Sequence, residues 1–72
     1  MEKLFKKELK AFGKRLKSIR KAKGLSQLDL EIESGINRTE ISRMENGQRN
    51  IEFYTIVKLA NALGIPVKEL FN

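Results

Sequence analysis

The sequence predicts an all-α fold of five short helices in a single domain. Apolar residues recur at spacings of three and four along most of the chain, and residues that start or stop helices bracket each such segment. One stretch, Leu28-Asp29-Leu30-Glu31-Ile32, alternates like a strand, but it is short, capped on both sides and has no second strand to pair with. At 72 residues the chain has the size of one small domain. Such domains bury only about 60% of their chain surface, so a partner or second subunit often adds stability.

The first helix is expected over residues 2–23, where Phe5, Leu9, Phe12, Leu16 and Ile19 form one apolar stripe among Lys and Arg. Gly24 ends it. Gly13 costs about 1 kcal/mol relative to Ala inside a helix, which points to a bend or close packing there. Residues 1–10 are expected to be a helical extension of a domain spanning 11–72. Ser26 starts the second helix, with Asp29 in the acidic position of a capping box, and Gly35 stops it. Asn37 caps a third helix, with Glu40 three residues on, Ile41 and Met44 facing inward, and Asn46-Gly47 closing it. After a polar loop, residues 52–63 place Phe53, Ile56, Leu59, Ala60 and Leu63 at helical spacing. Pro66 opens a last short helix with Val67, Leu70 and Phe71.

Composition narrows the function. There is no cysteine and no histidine, so disulfides, thiolate chemistry, the usual zinc sites and the commonest general base are all excluded. The carboxylates lie on amphipathic helices without converging, and no catalytic constellation is visible; the expectation is no enzyme, cofactor, metal or small-molecule ligand. Apolar runs are too short to span a membrane. The absence of cysteine and of a signal peptide fits a cytoplasmic protein.

The net charge is +6, unevenly placed. Residues 1–24 carry ten basic and two acidic side chains (+8), residues 25–47 two and five (−3), and the remainder three and two (+1). A basic end suits a polyanion, although a solvated helix would show the same charge.

The segment Leu25–Gly47, LSQLDLEIESGINRTEISRMENG, resembles the helix-turn-helix of phage-repressor and Cro-like regulators, also called the xenobiotic-response-element type. The resemblance rests on Ser26-Gln27, Leu30, Gly35-Ile36, Ile41-Ser42 and Glu45-Asn46-Gly47. It extends outward through Phe12–Leu16, Ile19-Arg20, Lys58-Leu59-Ala60, Ala62-Leu63-Gly64 and Glu69-Leu70-Phe71, covering roughly residues 11–71. It implies a lambda-repressor-like domain with the motif at about 26–46, from a bacterial or phage protein associated with the nucleoid when bound. Restriction-modification controller proteins and small phage repressors are its compact members.

In such a motif the second helix, here about Arg38–Glu45, lies in a major groove about 12 Å wide, its first residues facing base edges. The outward positions are Arg38, Thr39, Ser42 and Arg43, the expected base contacts; Arg suits guanine and the Thr methyl suits thymine. Outside the motif the two arginines would only keep the surface soluble. Glu40 can accept from cytosine or support the helix N-terminus. The resemblance assigns Gln27 to phosphate, and Asn37, Asn46, Gln48 and Arg49 flank the reading helix as further phosphate contacts. Lys14, Lys17 and Lys21 share one face of the first helix, either reaching phosphate or forming its solvated side; Lys17 is grouped with the phosphate contacts. The family pairs an Arg in the first helix with the closing Glu, which makes Arg20 and Glu45 a structural pair. Loss of either partner should then harm folding and binding together.

Some positions depart from the pattern. Glu31 stands where a small residue is usual, so its side chain escapes along the surface or the motif helices move apart. Leu28 and Ile32 form an exposed apolar patch, to be covered by Leu4, Phe5 or Leu9 of the extension or by a partner. Ile51 and Tyr54 replace common Pro and polar residues. Ile51, Phe53, Tyr54, Val57, Val67 and Phe71 exceed what a small core needs and mark a dimer interface within residues about 50–72. Compact relatives dimerise after the reading helix, and a two-fold dimer reads an inverted repeat. The expected function is therefore a homodimeric, sequence-specific transcription regulator on double-stranded operator DNA. The alternative is an antitoxin that uses the same fold to bind DNA and a toxin through Leu28 and Ile32. No second domain is expected, so control would act through concentration, dimerisation or operator competition.

Overall fold

The computed structural model describes all residues, Met1–Asn72. It contains α1 (Glu2–Ala22), α2 (Gln27–Ser34), α3 (Arg38–Glu45), α4 (Phe53–Leu63) and a 3₁₀ turn (Val67–Leu70), with no strand. The fifth expected helix is thus a single 3₁₀ turn. Its bonds run from Glu69 N–H to Pro66 C=O and from Phe71 N–H to Lys68 C=O, both 3.0 Å, because four residues after a proline cannot build an α-helical ladder.

The strand-like stretch is helical. Ser26 Oγ accepts from Asp29 N–H at 2.9 Å and an Asp29 carboxylate oxygen accepts from Ser26 N–H at 2.8 Å, a complete capping box. The alternation has a simple cause: α2 buries only Leu30, leaving Leu28 and Ile32 on its outer side. Gly35 then turns the chain at φ 75°, a left-handed conformation that a residue with a Cβ adopts only with strain.

Each element places one fully buried side chain at the centre: Leu16 from α1, Leu30 from α2, Ile41 from α3, Leu59 from α4 and Leu70 from the 3₁₀ turn. Each contributes about 1.5–3 kcal/mol of burial. Phe12, Ile36, Met44, Ala60 and Leu63 complete the core. At Gly13, close packing is found: a Cβ there would stand 2.4 Å from Met44 C=O and 2.5 Å from Glu45 C=O. The last turn of α3 therefore rests directly on the α1 backbone.

The N-terminal extension corrects one expectation. Residues 1–10 do not fold back over Leu28 and Ile32, which stay 45% and 71% exposed. No break separates the extension from the rest of α1, so it prolongs that axis. Phe5 and Leu9 line a cleft with Ile51, Ile56 and Phe71, on the α4 side of the domain. No helix is long and apolar enough to cross a membrane.

Candidate nucleic-acid interface

The eight residues of α3 divide between inside and outside, with Glu40 and Ser42 half-buried at the boundary. Ile41, Met44 and Glu45 are buried. Arg38, Thr39 and Arg43 are exposed and Ser42 is half-buried, so the four expected base contacts lie away from the core. Two side chains secure the helix start. Asn37 Oδ1 accepts from Thr39 N–H at 2.7 Å, and Glu31 Oε1 accepts from Arg38 N–H at 2.9 Å. Of the two outcomes foreseen for Glu31, it takes the first: it runs over the surface and ties α2 to the start of α3.

The end of α3 is locked to α1. Arg20 Nε and Nη2 donate to the two carboxylate oxygens of Glu45 at 2.7 and 3.1 Å, and Arg20 Nη1 donates to Leu25 C=O at 2.7 Å. Both side chains are almost entirely buried. The hydrogen bonds that Arg20 donates to Glu45 raise the Arg20 pKa above its ordinary value, burial opposes this, and the Glu45 charge adds to the rise. Gln27 Nε2 also donates to Glu45 Oε1, at 3.1 Å, so Gln27 is partly engaged within the fold as well as being a candidate phosphate contact.

Glu40 departs from its expected capping role. Its oxygens instead hold Arg49 at 2.9 Å and Arg43 at 3.4 Å. Asn37 caps α3 through Thr39 N–H, which leaves Glu40 free to face these two arginines. A candidate base contact and a candidate phosphate contact thus share one carboxylate. The spacing Glu40 to Arg43, i to i+3, is a helical pair that sequence could reveal; Arg49 arrives only because the loop folds back. Asn46, Gln48 and Arg49 follow the C-terminal end of α3, and all three are exposed. Lys17 stands beside them, lining a shallow concavity with Lys10, Lys14, Glu45 and Asn46. Lys21 does not line it.

The residues expected at a dimer interface fall into two groups. Phe53, Tyr54 and Phe71 are 69%, 73% and 57% exposed, and Val57 is also exposed. Ile51 and Val67 are half-buried against the core. Phe71 packs on Phe12 with ring centroids 5.3 Å apart. Arg15 anchors the C-terminus by donating to Glu69 C=O at 2.8 Å and to Asn72 C=O, bonds that no sequence signal announces.

A short helix pair joined by a left-handed glycine, with the second helix capped, locked at its far end and polar on its outer face, defines a DNA-binding helix-turn-helix protein. A family profile described as helix-turn-helix matches residues 16–70, and the chain belongs to this family of DNA-binding transcription regulators. The chain is 40% identical over 62 residues to control protein C.MunI of Mycoplasma sp, covering 85% of this chain and 84% of that protein. The fold superposes on the restriction-modification controller protein C.AhdI from Aeromonas hydrophila with a TM-score of 0.86 and 49% identity, over 88% of this chain and 96% of that one. It also matches controller protein C.Esp1396I, solved as a tetramer with its natural 35 base-pair operator, with a TM-score of 0.77 and 28% identity over 89% and 95% of the two chains.

Proposed function

We propose that this protein is a controller-type regulator that binds an inverted-repeat operator as a homodimer, with α3 in the major groove. The observation that carries this reading is the outer face of α3. Arg38, Thr39, Ser42 and Arg43 project from a short helix held at both ends, by Glu31 and Asn37 at its start and by Arg20 at its close. A helix fixed in this way presents donors to base edges at little entropic cost. Gln27, Asn37, Asn46, Gln48, Arg49 and Lys17 contact phosphate and set the register. Phe53, Tyr54, Val57 and Phe71 form the two-fold interface, edged by Ile51 and Val67. That interface puts two reading helices about one duplex turn apart, roughly 34–36 Å. Its similarity to control proteins, one of them seen on an operator as a tetramer, supports this assignment. The protein acts by binding, not catalysis, and works in the cytoplasm.

The decisive experiment is selection of bound duplexes from a random pool at two salt concentrations. An inverted repeat that stays enriched at the higher salt is expected; binding without any enriched sequence, vanishing with salt, would mean phosphate attraction alone. With the operator in hand, Arg38→Ala and Arg43→Ala should each cost about 1–3 kcal/mol and relax preference at one base-pair position. Uniform weakening across all sequences would reassign them to phosphate.

The antitoxin reading draws on one observation, the exposed Leu28 and Ile32 side chains on α2. Under it, Leu28→Ser with Ile32→Ser abolishes neutralisation of a toxin encoded beside the gene. Under the regulator reading, the same double variant retains full operator control.

A further inference from the structure

The basic residues of α1 are not scattered. At about 100° per residue, Lys3, Lys6, Lys7, Lys10, Lys14 and Lys17 all fall on one side of the helix, and Lys21 continues the same side at its C-terminal end. The two acids of α1, Glu2 and Glu8, fall off this side, and none of the six lysines takes part in an ion pair. Lys3, Lys6, Lys7, Lys10 and Lys14 line one shallow concavity. Lys10, Lys14 and Lys17 line the next, whose far wall is Glu45 and Asn46 at the end of α3. The two elements approach closely: a Cβ on Gly47 would stand 2.8 to 2.9 Å from Lys10 Cγ and Cα. The stripe therefore adjoins the C-terminal end of the reading helix. Like charges on one helix face repel one another when the protein is free, and a polyanion relieves that repulsion.

We propose that Lys3, Lys6, Lys7 and Lys10 form a phosphate-binding track that extends the DNA-binding face beyond the base pairs reached by α3. Rising about 1.5 Å per residue, the stripe from Lys17 to Lys3 covers about 21 Å. The eight residues of α3 cover about 12 Å by the same measure, so the track passes well beyond them. Duplex DNA is the occupant rather than an anionic membrane because the stripe adjoins the reading helix. Of the four large apolar residues of the extension, Phe5 and Leu9 turn toward Ile51 and Phe71, which leaves only Met1 and Leu4 strongly exposed, too small an apolar face for membrane insertion.

The track rests on the DNA-binding reading but can be tested apart from it. The test compares the full chain with a variant in which all four lysines become glutamine (K3Q, K6Q, K7Q and K10Q). Affinity for the selected duplex, and for a random duplex of equal length, is measured from 50 to 200 mM salt. For every phosphate that the variant leaves unneutralised, the slope of log affinity against log salt becomes shallower by about 0.9. Four such phosphates amount to a difference on the order of 100-fold over this range. The expected result is that shallower slope on both duplexes, with unchanged sequence preference and a melting temperature no lower than that of the full chain. Identical slopes for the two proteins overturn the track, even if the selected duplex is still preferred. Lysine-dependent binding to anionic vesicles with no change on DNA overturns it as well. If no duplex is preferred, the operator reading fails instead, and the random duplex still decides the track.

Discussion

At the scale of single residues, Glu40 is the most informative side chain of the reading helix. It lies between Arg43 and Arg49 and holds both without burying either. Exposed pairs contribute at most about 1 kcal/mol to stability, so its significance lies in binding. On the proposed DNA-binding face, Glu40 places a negative charge where phosphate would approach, and binding there would require it to release two arginines. Glu40→Gln is therefore expected to leave the melting temperature nearly unchanged and to tighten binding to any duplex, narrowing the gap between operator and non-operator DNA. Fluorescence anisotropy on the two duplexes checks this; equal or weaker binding by the variant would count against it. Arg20 and Glu45 are the opposite case, because burial makes each indispensable to the other.

At the scale of elements, two helix contacts set how α3 is presented. The first is the crossing of α1 and α3 at Gly13. Alanine would gain about 1 kcal/mol of helix propensity there. Its Cβ, however, would stand 2.4 Å from a backbone carbonyl oxygen, and overpacking of this kind costs about 1–3 kcal/mol. The clash wins, because backbone cannot swing aside as a side chain can. Gly13→Ala is expected to lower the melting temperature by roughly 4–8 °C per kcal/mol of net loss, and a rise in melting temperature would refute the argument.

The second contact is the capping box of α2, where hydrogen bonds from Ser26, backbone first and then side chain, hold the Asp29 carboxyl below its ordinary pKa. A depressed carboxyl stabilises the fold fully above its unfolded pKa, about 3.9, and loses that contribution as pH falls through the lower folded value. Urea midpoints should therefore show the native protein ahead of Asp29→Asn at pH 6, with the gap closing toward pH 2–3. A gap independent of pH would contradict this origin.

At the scale of the whole molecule, the lysine stripe and the three most exposed aromatic side chains belong to different elements. The domain measures 34 × 23 × 21 Å. Its lysine stripe and reading helix are contiguous, while Phe53, Tyr54 and Phe71 are exposed on the segment that follows. Phe53→Asp combined with Tyr54→Asp leaves the buried core intact, so the variant should remain helical by circular dichroism. Sedimentation equilibrium is expected to give the monomer mass, with operator affinity falling toward the non-specific level, roughly a thousandfold or more. A dimer mass for the variant would move the interface elsewhere.

Much of this protein was determined by local sequence. The helices, the capping box at Ser26 and Asp29, and the outward set Arg38, Thr39, Ser42 and Arg43 follow from spacing and from end signals that act within four or five residues. The motif around Leu25–Gly47 also made Arg20 and Glu45 readable as a pair although 25 residues separate them. Tertiary structure alone decided the rest. Gln27 joins that pair, Glu31 reaches Arg38 across a turn, and Arg49 folds back onto Glu40. The extension lies against Ile51 and Phe71 rather than over Leu28 and Ile32. The physical reason is the same in each case. Periodicity shows which face of a helix is apolar, but not which neighbour that face meets, and a polar side chain several bonds long finds its partner only after the core has fixed the distance between helices.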